Sequence, residues 1–254
     1  MVINKRVVVS IEARMTSSRL PGKVLMEAID GRTMLQFMVE RVKRAKLVDE
    51  IVVATTINKA DDCVVNLCEK MGIKYFRGSE NDVLQRVLEA HTFFNSNLIV
   101  ELTGDCPLID PNIIDKVIQV YLNNSFDYVS NSHLRSYPDG LDVQIFSKNI
   151  LKEISEKKLT EEDREHVSLY IYRSGEYNLG YVKAEGELFW PELRITLDDK
   201  GDYEIIKNII TYFYPKKGFD FSALDIVRYL RNNEYLLDLN KDARVKTIQY
   251  QKLA

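Results

Sequence analysis

The chain has 254 residues, 45% hydrophobic and 29% charged, a composition typical of a globular enzyme that buries a substantial core. Its 35 lysines and arginines against 38 aspartates and glutamates give a net charge of -3, which argues against a broad nucleic-acid-binding surface. No apolar stretch approaches the roughly 20 residues that cross a bilayer, and the N-terminus has a strand pattern where a signal peptide would have an apolar core. The three cysteines lack metal-ligand spacing, so we expect free thiols and a cytoplasmic location. From the charge and the lack of an apolar span, we expect binding to neither nucleic acid nor membrane.

Strand and helix signals alternate over the first half of the chain, which predicts an α/β protein with a mostly parallel central sheet flanked by helices. The predicted strands are Arg6–Glu12, Glu50–Thr55, Lys74–Arg77, Leu98–Leu102 and Asp127–Ser130. The predicted helices between them are Thr33–Lys46, Ala60–Met71, Asn81–Phe94 and Pro111–Asn123. Right-handed crossovers would place the carboxyl ends of all five strands on one edge of the sheet.

The second half is less regular. Strands are predicted at Leu141–Phe146, Tyr177–Lys183 and Arg194–Leu197, and helices at Ser147–Lys157, Glu161–Ser174, Gly201–Phe213 and Ser222–Arg231. Because no repeat, low-complexity segment or linker interrupts the pattern, we expect a single domain over residues 1–254.

A basic, hydroxyl-rich loop follows the first strand, within residues 10–24. Ligands of open α/β sheets collect beyond the carboxyl ends of strands, so the polar side chains of this loop should reach one crevice; these are Arg14, Ser17, Ser18, Arg19 and Lys23. Three cations and two hydroxyls suit a triphosphate, with Gly22 allowing close approach of the backbone. The alternative interpretation is a solvated basic loop.

Aspartates follow two later strands. Asp105 comes after the fourth strand in Thr-Gly-Asp-Cys-Pro, and Asp198 and Asp199 end the apolar stretch from Arg194. Carboxylates beside a triphosphate are typical magnesium ligands, and together with the loop they favour metal-assisted phosphoryl or nucleotidyl transfer. Taken alone, Asp198 or Asp199 is better explained as a helix cap than as a metal ligand.

Several blocks of the sequence resemble the cytidylyltransferases that activate acidic sugars, including CMP-Kdo and CMP-sialate synthetases. They occur in the family's order: Ala13 to Lys23 (Ala-Arg-Met-Thr-Ser-Ser-Arg-Leu-Pro-Gly-Lys), Ala54 to Thr56, Arg77 to Leu84, Thr103 to Leu108, Tyr137 to Val143 and His166 to Arg173. The resemblance implies a Rossmann-like nucleotide-diphospho-sugar transferase fold and a homodimer. Residues 1–130 would form the nucleotide-binding half, and residues 131–254 the acceptor-binding and dimerisation half.

The resemblance also implies roles for single residues. Lys23, Arg14 and Asp105 would be catalytic, and Asp105 and Asp198 would hold Mg²⁺. This chain has Leu-Asp-Asp-Lys-Gly-Asp at residues 197–202 where relatives have Val-Asp-Thr-Pro-Glu-Asp, so Asp199 stays open as the ligand. The nucleotide would contact Ala13, Arg14, Ser17, Ser18, Lys23, Thr55, Arg77, Gly78, Asp82, Thr103 and Gly104. The positions from Thr55 to Asp82 are equally explained as strand ends and helix caps.

The acceptor would contact Asp142, His166 and Arg173. Strand alternation points Asp142 toward the site if Leu141 and Val143 are in the core, and the resemblance supports His166 and Arg173 as contacts to an acidic acceptor. A histidine on an amphipathic helix is otherwise more often a packing residue.

The resulting hypothesis is a magnesium-dependent cytidylyltransferase. It would transfer CMP from CTP to a sugar acid or related anionic acceptor with release of pyrophosphate, in surface polysaccharide or glycoconjugate biosynthesis. One alternative is a sugar-1-phosphate nucleotidyltransferase or a nucleotide-sugar-dependent glycosyltransferase of the same fold, since topology does not separate these activities. The other is a non-catalytic nucleotide-binding regulatory protein.

Overall fold

The computed structural model describes residues 5–241, in which a seven-stranded sheet forms the centre. The sheet order is β5-β4-β1-β6-β8-β7-β9, and β2 and β3 form a separate hairpin. The strands are β1 (Val7–Glu12), β2 (Glu27–Ile29), β3 (Arg32–Thr33), β4 (Glu50–Thr56), β5 (Lys74–Gly78), β6 (Leu98–Thr103), β7 (Tyr128–Ser130), β8 (Gln144–Ser147) and β9 (Leu179–Tyr181). The ends of the predicted domain, at residues 1 and 254, lie outside the described residues.

Most neighbouring strands of this sheet are parallel. β1 pairs in parallel with β4 and β6, and β4 pairs in parallel with β5. β8 is antiparallel to both β6 and β7, so that β7 runs in the same direction as β6. The carboxyl ends of the five strands predicted in the first half therefore meet at one edge, as the alternating pattern predicted.

Helices cover both faces of the sheet. They are α1 (Met34–Val42), α2 (Asp62–Met71), α3 (Val83–Phe93), α4 (Pro111–Leu122), α5 (Lys148–Ser155), α6 (Glu161–Glu165), α7 (Leu169–Arg173), α8 (Lys200–Lys217) and α9 (Ala223–Arg231). Val9 and Ile11 of β1 belong to a large core that includes α1, α4, α8 and α9. Ile99 of β6 belongs to a smaller core on the opposite face, with α3, α5 and α7. No helix within residues 5–241 is long and apolar enough to cross a membrane.

The helix predicted over Glu161–Ser174 is broken. α6 ends at Glu165, and α7 begins only at Leu169. Val167 lies between them with φ +22°, a conformation that is rare for a β-branched residue, and its side chain is buried. The amphipathic pattern continues through the break because Val167 still packs inward, so periodicity alone did not detect it.

Further differences from the predicted elements occur elsewhere in the chain. Residues 194–197 form no strand and contribute only one parallel bridge, between Asp139 and Arg194. The first helix ends at Val42, four residues before the predicted end. The β2–β3 hairpin was not predicted, although Asp30 and Gly31 at its turn both have positive φ and form the Asp-Gly pair typical of tight hairpins.

Candidate active site

A cavity of about 380 Å³ opens at the edge where the carboxyl ends of the parallel strands meet. It is bounded by the loop after β1, the start of α3, the segment after β7 and the break between α6 and α7. Eleven of the residues predicted for the site line it: Arg14, Ser17, Ser18, Arg19, Lys23, Thr103, Gly104, Asp105, Asp142, His166 and Asp198. The structure therefore brings together residues from five separate parts of the chain.

The loop after β1 is folded back on itself by backbone hydrogen bonds. Gly22 has φ +73°, and its N–H donates to the carbonyl of Met15 over 2.9 Å. The N–H of Met15 donates in turn to Oδ1 of the buried Asp61 over 2.6 Å. Only glycine adopts the Gly22 conformation without strain, so this residue lets the loop turn and direct Lys23 inward.

Lys23 joins two carboxylates at the base of the loop. Its Nζ donates to Oδ2 of Asp105 and to Oδ1 of Asp198, each over 2.9 Å. Burial by itself lowers the pKa of Lys23, but the neighbouring charges of Asp105 and Asp198 outweigh burial and raise that pKa above its ordinary value. Lys23 is therefore a fixed positive charge between two acidic groups.

Asp198 and Asp199 have different roles. Asp198 is buried and accepts from Lys23, from Arg19 over 2.9 Å and from Arg194 over 2.5 Å. Burial favours its neutral form, yet these three cations hold its pKa below the ordinary value. Asp199 instead accepts from the N–H of Asp202 and caps α8. Of the two, Asp198 is the one that reaches the cavity.

Direct backbone contacts hold the two acidic segments together. The N–H of Leu197 donates to the carbonyl of Asp105 over 2.8 Å. On the other side of the cavity floor, Gly104 donates to the carbonyl of Glu12 over 2.9 Å. A Cβ at residue 104 would lie 2.7 Å from that carbonyl oxygen and 3.3 Å from the Cβ of Ala13, so the close approach requires glycine. Ala13 thus supports Gly104 from below and does not line the cavity.

Asp142 lies in the wall of the cavity as half of an ion pair. Arg135 donates to its two carboxylate oxygens over 3.1 Å and 2.9 Å, and also lies 3.4 Å from Asp139. His166 lines the same wall at the end of α6. His133, for which the sequence offered no support, is also in the wall, with its Nδ1 2.6 Å from the hydroxyl of Ser130.

Besides Ala13, five predicted contacts do not line this cavity. Arg77 donates to the carbonyls of Thr56 and Asn58 and to Asp62, and Asp82 caps α3 and binds Arg164. Arg173 is held by Asp163 over 2.7 Å. The other two are Thr55, which is fully buried, and Gly78, which packs against Arg86. Each of these residues has a structural contact in the fold, and its role in binding nucleotide or acceptor stays a prediction.

The polar residues of the cavity that sequence reasoning missed include four in its floor and walls: Glu12, Arg86, Glu101 and Gln144. Glu12 ends one mainly apolar strand and Glu101 interrupts another, and this was the available signal. Burial, followed by mutual repulsion with Glu101, raises the pKa of Glu12. Burial raises the pKa of Glu101 to about 8, against a small opposing effect of Ser168.

The paired carboxylates fit a magnesium ion. Asp105 and Asp198 already converge on one cation, the ammonium of Lys23, and their oxygens are the hard ligands that magnesium prefers. No cluster of three or more His, Cys, Asp or Glu side chains suited to a metal occurs within residues 5–241. Proteins nevertheless commonly bind magnesium through only one or two carboxylates, because nucleotide phosphates and water supply the other ligands.

Comparison with known proteins identifies the family. The family model described as cytidylyltransferase matches residues 8–209, which include the loop after β1, Asp105 and Asp198. The chain belongs to the cytidylyltransferase family. It is therefore an enzyme of a family that binds CTP, and the non-catalytic alternative is not supported.

Relatives of this cytidylyltransferase match nearly all of its length. The spore coat polysaccharide biosynthesis protein SpsF of Bacillus subtilis is 34% identical, covering 88% of this chain and 93% of its own. The 3-deoxy-manno-octulosonate cytidylyltransferase of Pelobacter propionicus is 28% identical, covering 94% and 87%. A solved cytidylyltransferase from Leptospira borgpetersenii is 34% identical, covers 91% of this chain and 96% of its own, and has a TM-score of 0.86. The fold expected from the resemblance is thus confirmed.

Proposed function

We propose that this cytidylyltransferase transfers CMP from CTP to a hydroxyl group of a sugar acid, with magnesium as cofactor and pyrophosphate as the second product. The observation that carries the proposal is the position of Lys23 between Asp105 and Asp198, directly below the hydroxyl-rich loop. Charge stabilisation and positioning supply most of the rate in such transfers, and this cluster offers both. The name of the Bacillus relative supports a place in surface polysaccharide biosynthesis.

The loop supplies the contacts to the triphosphate. Arg14, Arg19 and Lys23 line the cavity beside the Ser17 and Ser18 hydroxyls, so three cations and two hydrogen-bonding groups face one space. Lys23 is the deepest of the three cations, with a side chain only 11% exposed. We assign to Lys23 the stabilisation of the negative charge that develops on the phosphate groups as the bond to pyrophosphate breaks.

Asp105 and Asp198 would hold the metal, which when bound neutralises the triphosphate and lowers the pKa of the attacking hydroxyl. Arg194 acts as a positioning residue for Asp198, because its guanidinium also binds Asp139 over 3.0 Å and the buried Asp202 over 3.1 Å. These contacts fix the carboxylate of Asp198 before the substrates arrive. No side-chain base is required in this proposal.

The acceptor would bind in the part of the cavity lined by Arg135, Asp142, His133 and His166. Arg135 offers a planar guanidinium, which matches the geometry of a carboxylate, and it is already oriented by Asp142. The carboxylate of a sugar acid would bind this guanidinium in exchange for a contact to Asp142. The homodimer implied by the resemblance stays a prediction.

The experiment that tests the function measures pyrophosphate release with magnesium and each of CTP, UTP, GTP and ATP, against a pool of sugar acids. We expect release only with CTP plus an acceptor, and its loss in Lys23→Ala. Lys158→Met, at an exposed position, is the control and should keep the activity. Release with UTP or GTP in preference to CTP would contradict the proposal.

A further inference from the structure

Asp202 does not line the cavity, yet its carboxylate organises the segment that carries Asp198. Asp202 is completely buried, and its Oδ2 accepts from the N–H groups of Asp198, over 2.9 Å, and of Asp199, over 3.2 Å. Its Oδ1 and Oδ2 also accept from the guanidinium of Arg194, over 3.2 Å and 3.1 Å. Arg194 donates in turn to Oδ2 of Asp198. Asp202 therefore fixes the backbone of Asp198 directly and its side chain through Arg194.

Asn240 adds a further contact to this arrangement from a distant part of the chain. Its side-chain amide donates to Oδ1 of Asp202 over 2.9 Å and to the backbone carbonyl of Arg194 over 3.2 Å. Both partners are acceptors, so the nitrogen of the amide must be the atom that faces them. Asn240 thus holds Arg194 at two points, at the carbonyl directly and at the guanidinium through Asp202.

Backbone packing sets the position of Asn240. The residue follows the 3₁₀ helix Glu234–Leu239, in which Leu236 is buried in the same core as α8 and α9. Gly201, the second residue of α8, lies directly against the end of this helix. A Cβ at Gly201 would be 2.1 Å from the carbonyl oxygen of Leu239 and 3.1 Å from the Cα of Asn240, so this approach requires glycine.

The contact made by Asn240 lies outside the part of the chain that matches the family. The matched residues, 8–209, include Arg194, Asp198 and Asp202 but not the segment at residues 234–240. Polar groups that orient a metal ligand from behind commonly change metal affinity by about 10- to 100-fold when they are removed. Asn240 acts through Arg194 and Asp202, so we expect an effect at the lower end of this range.

We propose that Asn240 is a positioning residue for Asp198, so that the segment at residues 234–240 forms part of the active site. The inference rests on the proposed function, because it takes Asp198 as a metal ligand. Without the amide, Oδ1 of Asp202 would lose its 2.9 Å hydrogen bond and keep the 3.2 Å contact to Arg194. The guanidinium of Arg194, and with it the carboxylate of Asp198, would then be held less rigidly for metal binding.

The test measures Mn²⁺ binding in the presence of CTP, by electron paramagnetic resonance, for two variants that disturb the contact in different ways. Asn240→Ala removes both hydrogen bonds of the amide. Gly201→Ala leaves every polar group in place but displaces residues 239 and 240 through the clash with the carbonyl of Leu239. We expect each variant to weaken Mn²⁺ binding about tenfold. The double variant should bind no more weakly than the weaker-binding single variant, because both changes act through the same contacts.

Asn208→Ala is the matched control. Asn208 also lies on α8 and donates its side-chain amide to a backbone carbonyl, that of Glu204, over 2.8 Å. It is exposed and has no contact with Asp202 or Arg194 among residues 5–241. We expect this variant to bind Mn²⁺ with the wild-type affinity.

Two readouts separate a positioning role from a loss of folded protein. Calorimetry of CTP binding without metal should give the wild-type affinity for Asn240→Ala, and excess magnesium should restore its kcat for CMP transfer. Both results are expected because the carboxylates and the cationic loop are unchanged in this variant. A variant that is only less stable would instead lose CTP sites and Mn²⁺ sites in equal proportion, with unchanged affinities.

Nuclear magnetic resonance reports the same geometry without metal or substrate. The Nε–H of Arg194 donates to Oδ1 of Asp202, the oxygen that also accepts from Asn240. Its resonance, assigned with Arg194→Lys, should shift in Asn240→Ala and keep its wild-type position in Asn208→Ala. A shift in both variants would show that the resonance does not report this contact and would count against the inference.

The failure of the inference differs from the failure of the proposed function. Wild-type Mn²⁺ affinity in both Asn240→Ala and Gly201→Ala, or an unchanged Arg194 resonance in Asn240→Ala, would overturn the inference alone, provided that Asp198→Asn weakens Mn²⁺ binding. Unchanged Mn²⁺ binding in Asp198→Asn would contradict the proposed metal site and the inference with it.

Discussion

The ammonium of Lys23 donates to Oδ1 of Asp198 over 2.9 Å although 175 positions of the chain separate the two residues. Lys23 belongs to the loop after the first strand, whereas Asp198 precedes α8 in the second half. The contact therefore joins the nucleotide-binding loop to a segment beyond the last strand of the sheet. The acidic cluster exists only when both parts of the chain are folded together.

Replacement of Lys23 by methionine should lower kcat/KM for CMP transfer by about two to three powers of ten. The substitution removes a preorganised charge from the phosphate site, and losses of this size are typical for one such contact. Arg19 and Arg194 still compensate Asp198, so the circular dichroism spectrum should stay that of the wild type. Steady-state kinetics give the measurement, with Lys158→Met as control. Activity within threefold of wild type would show that Lys23 has no catalytic role.

Gly140 should tolerate alanine far less than Gly175 does. Both have positive φ, +106° and +74°, but a Cβ at Gly140 would lie 2.7 Å from the backbone of Ile195, whereas Gly175 has open space. We expect Gly140→Ala to lower the free energy of unfolding by about 3 kcal/mol or more, and Gly175→Ala by about 1 kcal/mol. Urea denaturation measures both. Equal losses would contradict the close packing between residues 139–141 and 194–196.

Protonation of Glu101 makes stability depend on pH. Its pKa is about 8 in the folded protein against an ordinary value of 4.5, so the folded state holds the proton more tightly than the unfolded state. Stability from this group is present below pH 4.5 and is lost as the pH rises toward 8, by at most about 1.4 kcal/mol per pH unit. Relative to Glu101→Gln, the wild type should therefore lose stability between pH 5 and pH 8. Urea denaturation curves whose difference between the two proteins is constant over this range would refute the assignment.

Much of the fold was predictable because the strands of the first half are apolar runs separated by amphipathic helices. β1, β4 and β6 are buried on both faces, so their hydrophobic signal is continuous. The second half was less predictable. Residues 194–197 have the composition of a strand, but their backbone pairs at a single position, beside Gly140. A local pattern carries no information about such a partner.

The cationic loop and Asp105 were predictable because each follows a strand whose carboxyl end lies at the ligand-binding edge. The choice between Asp198 and Asp199 was not, since adjacent carboxylates have the same local signal and only the tertiary contacts with Lys23 and Arg194 separate them. Glu12 and Glu101 were missed for a related reason. A single polar residue in an apolar strand does not reveal that a neighbouring strand carries another beside it.

Metal binding in the presence of CTP tests the central claim most directly. Electron paramagnetic resonance of Mn²⁺, added as a magnesium substitute, reports the bound metal for the wild type, Asp105→Asn, Asp198→Asn and Asp199→Asn. Asparagine caps helices as well as aspartate does, so Asp199→Asn is a matched control that keeps α8 intact. We predict that Asp105→Asn and Asp198→Asn weaken the binding of Mn²⁺ with CTP at least tenfold, while Asp199→Asn binds as the wild type does. Wild-type affinity in both Asp105→Asn and Asp198→Asn would contradict the account.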